Sequence, residues 1–319
     1  MIPRIEAWLL RRWYGGVSPG IGLRAVAGVY AFARRLPGPP SAHRLSVPVI
    51  VVGNFTAGGT GKTPLVIAIA RHLAANGWRP GIVSRGYGRR NSRPIRVEAG
   101  MAVEDCGDEP RLVFDRTGLP VFVDADRVAA AERAIAADCN VVIADDGLQH
   151  QRLARDIEIE VVDGERGYGN GLLLPAGPLR ERPRPCDFRV VNGDGQAGPG
   201  DVGMVLQLGD AIALDDPGKR RPLSAFVGRK VEAVAGIGNP GRFFSALEQA
   251  GLAFEARPFP DHHGFRGEDF PAGPGSVLMT EKDAVKCHGL GLANAWAVPV
   301  EARLPAEFLA SLLSRLGKP

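Results

Sequence analysis

The chain has few cysteines: only four among 319 residues, at Cys106, Cys139, Cys186 and Cys287. They stand far apart with no CxxC pair, which excludes a disulfide framework and a zinc site and suits reduced thiols in a cytosolic protein. No stretch approaches the ~20 uninterrupted apolar residues that a transmembrane helix needs. No apolar h-region precedes a small-residue cleavage site, so a signal peptide is not expected. Internal repeats and low-complexity tracts are also missing. Hydrophobic residues at 45% and charged residues at 23% lie near the globular average, which argues against wholesale disorder and against an integral membrane bundle. What remains is a globular chain long enough for roughly two domains, each with its own core.

Charge of one sign is scarce as well, since the net charge is +4. Its location is informative. Residues 1–36 hold Arg4, Arg11, Arg12, Arg24, Arg34 and Arg35 against the single acid Glu6, while the rest of the chain holds 33 basic and 34 acidic residues. All the excess is N-terminal, so a nucleic-acid partner is not expected. The same segment carries Ile5, Trp8, Leu9, Leu10, Trp13, Tyr14, Val26, Val29, Tyr30 and Phe32, interrupted by Gly15, Gly16, Pro19 and Gly20. Two short amphipathic helices with arginine and aromatic flanks fit this pattern. They suit either an anionic membrane surface or packing on the protein's own core.

After Pro39-Pro40, short β-branched runs at 49–52, 81–84, 141–144 and 157–162 alternate with helical stretches at 65–74 and 128–137. Apolar runs bounded by glycine with helices between them predict an α/β fold, a mostly parallel sheet with helices on both faces. Residues 192–222 are rich in Gly, Asp and Pro, and a boundary is expected near 222. Beyond it, strands are expected at 230–235, 253–259 and 276–279 with a helix at 242–250, a second and smaller α/β unit. The spacing of Leu309, Leu312, Leu313 and Leu316 predicts a covering helix at 308–316.

The strongest local motif is a buried strand running into Thr56-Ala57-Gly58-Gly59-Thr60-Gly61-Lys62-Thr63 and then a helix. Such a turn aims successive backbone N–H groups at a phosphate chain. Lys62 can reach the β- and γ-phosphates, and the Thr63 hydroxyl can ligate Mg²⁺. Thr56 stands where the usual spelling has its first glycine. A phosphate loop of this kind works with a carboxylate at the end of a neighbouring strand. Asp145-Asp146 and Asp163 both qualify; the Asp pair is preferred, because adjacent acids followed by Gly147 are hard to justify as packing. Further polar clusters, expected in loops, are 84–89, Gly107-Asp108-Glu109-Pro110, Asp126-Arg127, Pro178-Leu179-Arg180-Glu181 and Asp261-His262-His263. Together they supply cations for phosphate charge, carboxylates for metal and an Asp/His pair for a hydroxyl proton.

Three rival patterns are weaker. The 236–241 segment spells G-x-G-x-x-G with Glu255 beyond it, but one match in so small a unit is poor support for a dinucleotide fold. Thr280-Glu281-Lys282-Asp283 departs from the guanine-reading [NT]-K-x-D, and Asp146-Gly147-Leu148-Gln149 is not D-x-x-G, so ATP is favoured over GTP. An ATPase switch that lacks a small-molecule acceptor is the third.

In order along the chain, VGNFTAGGTGKTP, SRGYGR, CGDEP, ADDGLQHQ, PAGPLRE, FPDHHGF and MTEKDAVK span residues 52–286 and closely resemble the tetraacyldisaccharide 4'-kinase family of lipid A biosynthesis. That family shares the Thr56 departure. The resemblance implies transfer of the ATP γ-phosphate to the 4'-hydroxyl of tetraacyldisaccharide 1-phosphate, forming lipid IVA, at the cytoplasmic face of the inner membrane with only peripheral contact. It implies that Lys62 and Thr63 bind the triphosphate and Mg²⁺, with Asp145 and Asp146 supporting the metal. Asp108 is then the base for the sugar hydroxyl, partnered by His262 or, in exchange, His263. Glu109, Arg127, Arg180 and Glu181 match further active-site positions. The expected organisation is a membrane-docking segment at 1–36, a P-loop kinase domain at 37–222 and a smaller α/β domain at 223–319, with the site between the last two.

Overall fold

The computed structural model describes residues 4–34, 41–90, 92–193, 197–270 and 275–319; Arg35 and the Pro39-Pro40 junction lie outside these. Two helices come first, α1 (Arg4–Tyr14) and α2 (Ile21–Ala33). The first α/β layer then runs β1 (Val49–Gly53), α3 (Lys62–Ala75), β2 (Pro80–Ser84), β3 (Ile95–Arg96), α4 (Val103–Cys106), α5 (Asp108–Thr117), β4 (Val121–Val123), α6 (Arg127–Ala136), β5 (Val141–Asp145), β6 (Ile157–Asp163), β7 (Phe188–Asn192) and β8 (Val202–Leu208). The chain continues through β9 (Ala211–Ala213), β10 (Arg220–Arg221), β11 (Val231–Ala235), α7 (Pro240–Gln249), β12 (Glu255–Pro258), β13 (Ser276–Thr280), α8 (Glu281–Ala284), β14 (Ala295–Val298), β15 (Val300–Arg303) and α9 (Ala306–Leu316).

The strands form two sheets, as the alternating apolar runs predict. The larger has the order β15-β8-β7-β6-β1-β5-β2-β4-β3 and the smaller β10-β9-β14-β13-β11-β12. Pairing is parallel except at the β15–β8 and β3–β4 edges of the first sheet and at β14–β9–β10 in the second. Every residue of β1, β2 and β5 is buried, the signature of strands covered on both faces. One face packs Leu65, Ile69 and Leu73 of α3 with Leu112 of α5 and Leu312 of α9; the other packs Val128, Ala131 and Ala134 of α6. β1 lies between β5 and β6: the chain runs from β1 through α3 to β2 on the β5 side and later crosses from β5 to β6 on the other, so the strand order reverses at β1. The crevice beyond the carboxyl end of such a strand is where ligands bind in doubly wound sheets.

Two expectations need correction. A single cut near 222 does not separate the sheets. β9 and β10, before the cut, pair into the smaller sheet, while β15 pairs antiparallel with β8 and carries α9 back onto the larger one. Helix α9 covers the first core because the β8 edge is free to accept β15. Asp108, Glu109 and Arg127 were expected in loops, yet they open helices α5 and α6. Gly107 at φ 95° turns the chain into α5, and the Asp126 carboxylate caps α6 by accepting the Val128 N–H at 3.0 Å.

Candidate active site

The glycine-rich turn leaves β1 and enters α3 through Gly61, whose φ of 94° is left-handed. A side chain here would also collide with Asn192, whose Nδ2 would lie 2.5 Å from a Cβ, so glycine is required twice over. The Ala57 N–H donates to the Pro178 carbonyl at 2.7 Å and the Arg180 N–H to the Phe55 carbonyl at 2.7 Å, which fastens the turn to the PAGPLRE segment. Asn54, at the end of the β1 run, accepts the Lys62 ammonium at 3.0 Å and donates to the Thr56 carbonyl at 2.8 Å. Lys62 is thus held over the turn.

Asp145 ends β5, beside β1, and Asp146 follows it, and their environments differ. Asp146 accepts Arg180 at 2.8 and 3.1 Å and faces Lys62 at 3.5 Å. Burial alone would raise its pKa, but these two cations bring it down to about 2. Asp145 is almost fully buried and its Oδ1 has no hydrogen-bond partner among the described residues. Burial first, then the negative charges of Glu109 and Asp146, push its carboxyl well above the usual range. Arg127 is buried close by, and among the described residues its Nε has no partner and its Nη1 makes a long 3.4 Å contact to the Asp124 carbonyl. A buried carboxylate oxygen at the end of β5 and a buried guanidinium at the start of α6 thus lie near each other, both under-satisfied among the described residues. Asp163, the alternative acid, accepts the Glu165 and Arg166 N–H groups and Arg242 of α7 at 2.8 Å through Oδ1, while its buried Oδ2 has no partner among the described residues.

The second carboxylate centre joins the two sheets. Asp108 Oδ2 lies 2.9 Å from His262 Nδ1, and Asp108 Oδ1 accepts the Glu109 N–H at 2.9 Å. Burial works to raise the Asp108 pKa, but the His262 hydrogen bond and the charge of Lys282 hold it below the ordinary value. The same bond raises the His262 pKa against its own burial. His262 has a left-handed φ of 58°, uncommon for a non-glycine residue, and its N–H donates to Asp261 Oδ1 at 3.0 Å. His263 points elsewhere, with Nε2 3.0 Å from Asp269 Oδ2 and its ring stacked on Phe259. Of the two histidines, geometry pairs His262 with Asp108. Glu181 meets Gln149 at 3.0 Å and Arg34 of α2 at 2.6 Å, which ties this margin of the site to the N-terminal helices.

Between the sheets lies a cavity of about 560 Å³. Gly59 to Thr63, Glu109 and Lys282 line it, along with an apolar wall that includes Leu112, Val205 and Phe243. The 236–241 loop lines this cavity together with the phosphate loop. Gly238 abuts the phosphate loop so closely that a Cβ on it would lie 3.0 Å from the Gly59 nitrogen. Lys282, Asn54, Arg242 and Gly238 were not singled out as site residues from sequence. Lys282 and Gly238 sit in motifs that drew attention for other reasons; Asn54 and Arg242 carry no signal beyond their neighbours.

A buried strand, a GGTGKT turn on an α-helix, strand-end acids beside it and an Asp–His pair next to the cavity-lining Glu109 and Lys282 define an α/β P-loop phosphotransferase. The LpxK family model, tetraacyldisaccharide-1-P 4'-kinase, matches residues 23–317. The chain is 51% identical over 329 residues to the tetraacyldisaccharide 4'-kinase of Xanthomonas euvesicatoria, covering 96% of this chain and 95% of that one. It is 49% identical to the Stenotrophomonas maltophilia enzyme of the same name, covering 96% of each. The crystal structure of LpxK from Aquifex aeolicus in complex with ATP superposes with a TM-score of 0.72 at 28% identity, covering 98% of this chain and 99% of that one. The chain belongs to the LpxK family of tetraacyldisaccharide 4'-kinases.

Proposed function

We propose that Asp108 is the general base, and the GGTGKT turn the triphosphate cradle, of the reaction this chain catalyses: ATP-dependent phosphorylation of a tetraacyldisaccharide at its 4' position, in lipid A biosynthesis. The acceptor is tetraacyldisaccharide 1-phosphate and the product lipid IVA. The observation that carries the assignment is the Asp108–His262 contact of 2.9 Å between the two sheets, next to Glu109 and Lys282, which line the same cavity as Lys62.

A sugar hydroxyl is a weak nucleophile at neutral pH, so its proton must leave as its oxygen bonds to phosphorus. Asp108 takes that proton, the new O–P bond forms in line with the breaking bond to the β-phosphate oxygen, and ADP departs. His262 holds the carboxylate in orientation and stabilises its charge. Lys62 and the N–H groups of the 56–63 turn bind the β- and γ-phosphates, and Arg127 and Arg180 offset charge that builds on the transferred group.

Mg²⁺ fits the donor set. Magnesium binds through one or two carboxylates together with water and phosphate, so it does not need an enclosed cage of acids. Among the described residues no trio of His, Cys, Asp or Glu forms such a cage, but Asp145 Oδ1 is a buried acceptor with nothing to accept from. Thr63, Asp145 and Asp146 would hold the ion, which when bound neutralises phosphate charge. Glu109 lines the cavity between the sheets and adds to its charge, whereas Glu181 holds Arg34 and Gln149.

Membrane contact is part of the same reading. Ile21, Val29 and Phe32 of α2 and Ile5 and Trp8 of α1 are exposed beside arginines, and no described helix is long and apolar enough to cross a membrane. This supports peripheral docking of the 1–36 segment on the cytoplasmic face of the inner membrane, where the lipid acceptor resides. The rest of the chain divides into a P-loop unit and a smaller unit, with β15 and α9 given to the former. The test is transfer of labelled γ-phosphate from ATP to the disaccharide lipid in detergent. Phosphate on the enzyme in place of the lipid would overturn direct transfer.

A further inference from the structure

Phosphoryl transfer as described leaves Lys282 without a task, although it is the most heavily engaged cation of the cleft. It lies on α8, whose start is set by Thr280: that hydroxyl accepts the Asp283 N–H at 3.2 Å and donates to Asp283 Oδ2 at 2.6 Å. The Lys282 ammonium is 3.0 Å from Glu109 Oε1, 3.4 Å from Asp261 Oδ1 and 3.8 Å from Asp108 Oδ2, and its side chain is only 17% exposed. The Asp108 oxygen it faces is the one that meets His262. Asp108 and Glu109 belong to the larger sheet's helix α5, whereas Asp261, His262 and Lys282 belong to the smaller sheet.

We infer that Lys282 is a positioning residue for phosphoryl transfer: it keeps the Asp108 carboxylate ionised and holds the His262 side of the cleft against it. Three carboxylates crowd one ammonium here. Without it, Asp108, Glu109 and Asp261 repel one another, and the relief open to a buried cluster is for one of them to take a proton. A protonated Asp108 cannot accept the proton of the sugar hydroxyl. Other groups face Asp108 too: His262 and Asp261 from the loop after β12, Glu109 from its own helix, and Lys286 just beyond α8. Lys286 is spent on Asp283 at 2.6 Å, so it does not replace Lys282. Burial disfavours a charged lysine, yet Glu109, Asp108 and Asp261 together raise the Lys282 pKa above the ordinary lysine value.

The inference rests on Asp108 as the base, and the experiment separates the two. Full-length Lys282→Met and Lys282→Arg are assayed with ATP and the disaccharide lipid in detergent, recording kcat against pH and the KM for ATP. In Lys282→Met, kcat falls up to about tenfold on the acid limb of its pH profile and recovers toward the wild-type plateau at higher pH, with the KM for ATP nearly unchanged. Because kcat rises with pH as the base ionises, a raised Asp108 pKa moves that rise to higher pH, by about one unit. Lys282→Arg keeps the charge and therefore the wild-type pH profile, and it decides the matter even where the methionine variant does not fold. A displaced profile in the arginine variant overturns the inference. So does an undisplaced one in Lys282→Met, or a raised KM for ATP with kcat intact, which would make the lysine a nucleotide contact. Arg116→Met removes the Arg116–Glu281 pair on the same α5–α8 seam and is expected to lower the melting temperature without moving the profile; an equal displacement there assigns the effect to seam packing and overturns the inference. If Asp108→Asn stays active, the base assignment fails. If it is inactive while Lys282→Met behaves as wild type, only the role of Lys282 fails.

Discussion

His262 Nδ1 meets Asp108 Oδ2 at 2.9 Å although 154 residues separate them along the chain. One residue opens a helix of the larger sheet and the other lies in a loop of the smaller, so the pair exists only while the two sheets are apposed.

If that pair moves the proton, Asp108→Asn lowers kcat by about 10²–10⁴-fold with a small change in the KM for ATP. His262→Gln loses less, since the carboxylate remains. Lys62→Ala abolishes turnover through loss of the triphosphate contact. Steady-state transfer of labelled phosphate to lipid separates these three, and an Asp108→Asn enzyme with near-normal kcat would remove Asp108 as the base.

The pair also predicts a pH window for stability. Asp108 has a lowered pKa, so its contribution is present above the ordinary 3.8 and is lost as pH falls through the folded value. His262 has a raised pKa, so its contribution is full below 6.5 and is lost as pH rises through the folded value. Both are charged and paired between those limits. The destabilisation by His262→Gln is expected to be largest near pH 5, about 1.5–3 kcal/mol for a charged hydrogen bond, and to shrink by pH 8. Thermal melts of both proteins at the two pH values test this; a difference that grows toward pH 8 contradicts it.

Gly238 approaches the phosphate loop too closely for a side chain. A Cβ would sit 3.0 Å from the Gly59 nitrogen and 3.4 Å from Asp261 Oδ2. Gly238→Val is expected to push the 236–241 loop off the turn and weaken ATP binding by at least about tenfold, since displacements near 1 Å carry costs of that order or more. Calorimetric titration with an unreactive ATP analogue reads the effect, and unchanged affinity would mean that the contact is incidental.

The exposed apolar side chains of α2 predict membrane binding that is separable from chemistry. Val29 and Phe32 are 71% and 68% exposed, beside Arg34. Val29→Glu with Phe32→Glu is expected to lower co-sedimentation with anionic vesicles by tenfold or more, given about 1.5–3 kcal/mol per buried large apolar side chain. Rising salt should weaken the wild-type binding. Equal binding by the double variant would place the contact elsewhere.

Much of this was legible residue by residue. The run at 49–52 followed by GGTGKT and an apolar helix announces β1, the turn and α3, because a doubly covered strand and a phosphate loop are both local patterns. The preference for Asp145-Asp146 over Asp163 rests on the sequence pattern: Asp145 and Asp163 each keep a buried oxygen without a partner among the described residues, although Asp163 also holds Arg242 and two N–H groups through Oδ1. The helix starts at Asp108 and Arg127 were not legible. Short polar clusters look alike whether they cap a helix or sit in a loop. Nor was the return of β15 to β8, a pairing between residues 300–303 and 205–208 that no local periodicity encodes.

Local composition therefore specifies the strands, the phosphate turn, the acids at the strand ends and the basic, aromatic N-terminal helices, since each depends on neighbours within a few residues. The motifs in their order specify the family. The choice of His262 over His263, the ring of Glu109, Asp108 and Asp261 around Lys282, and the seat of Gly238 on Gly59 come from apposition of two separately formed sheets. Hydrogen bonds and ion pairs act over a few ångströms, so groups far apart in the chain acquire their chemistry only where folding brings them together.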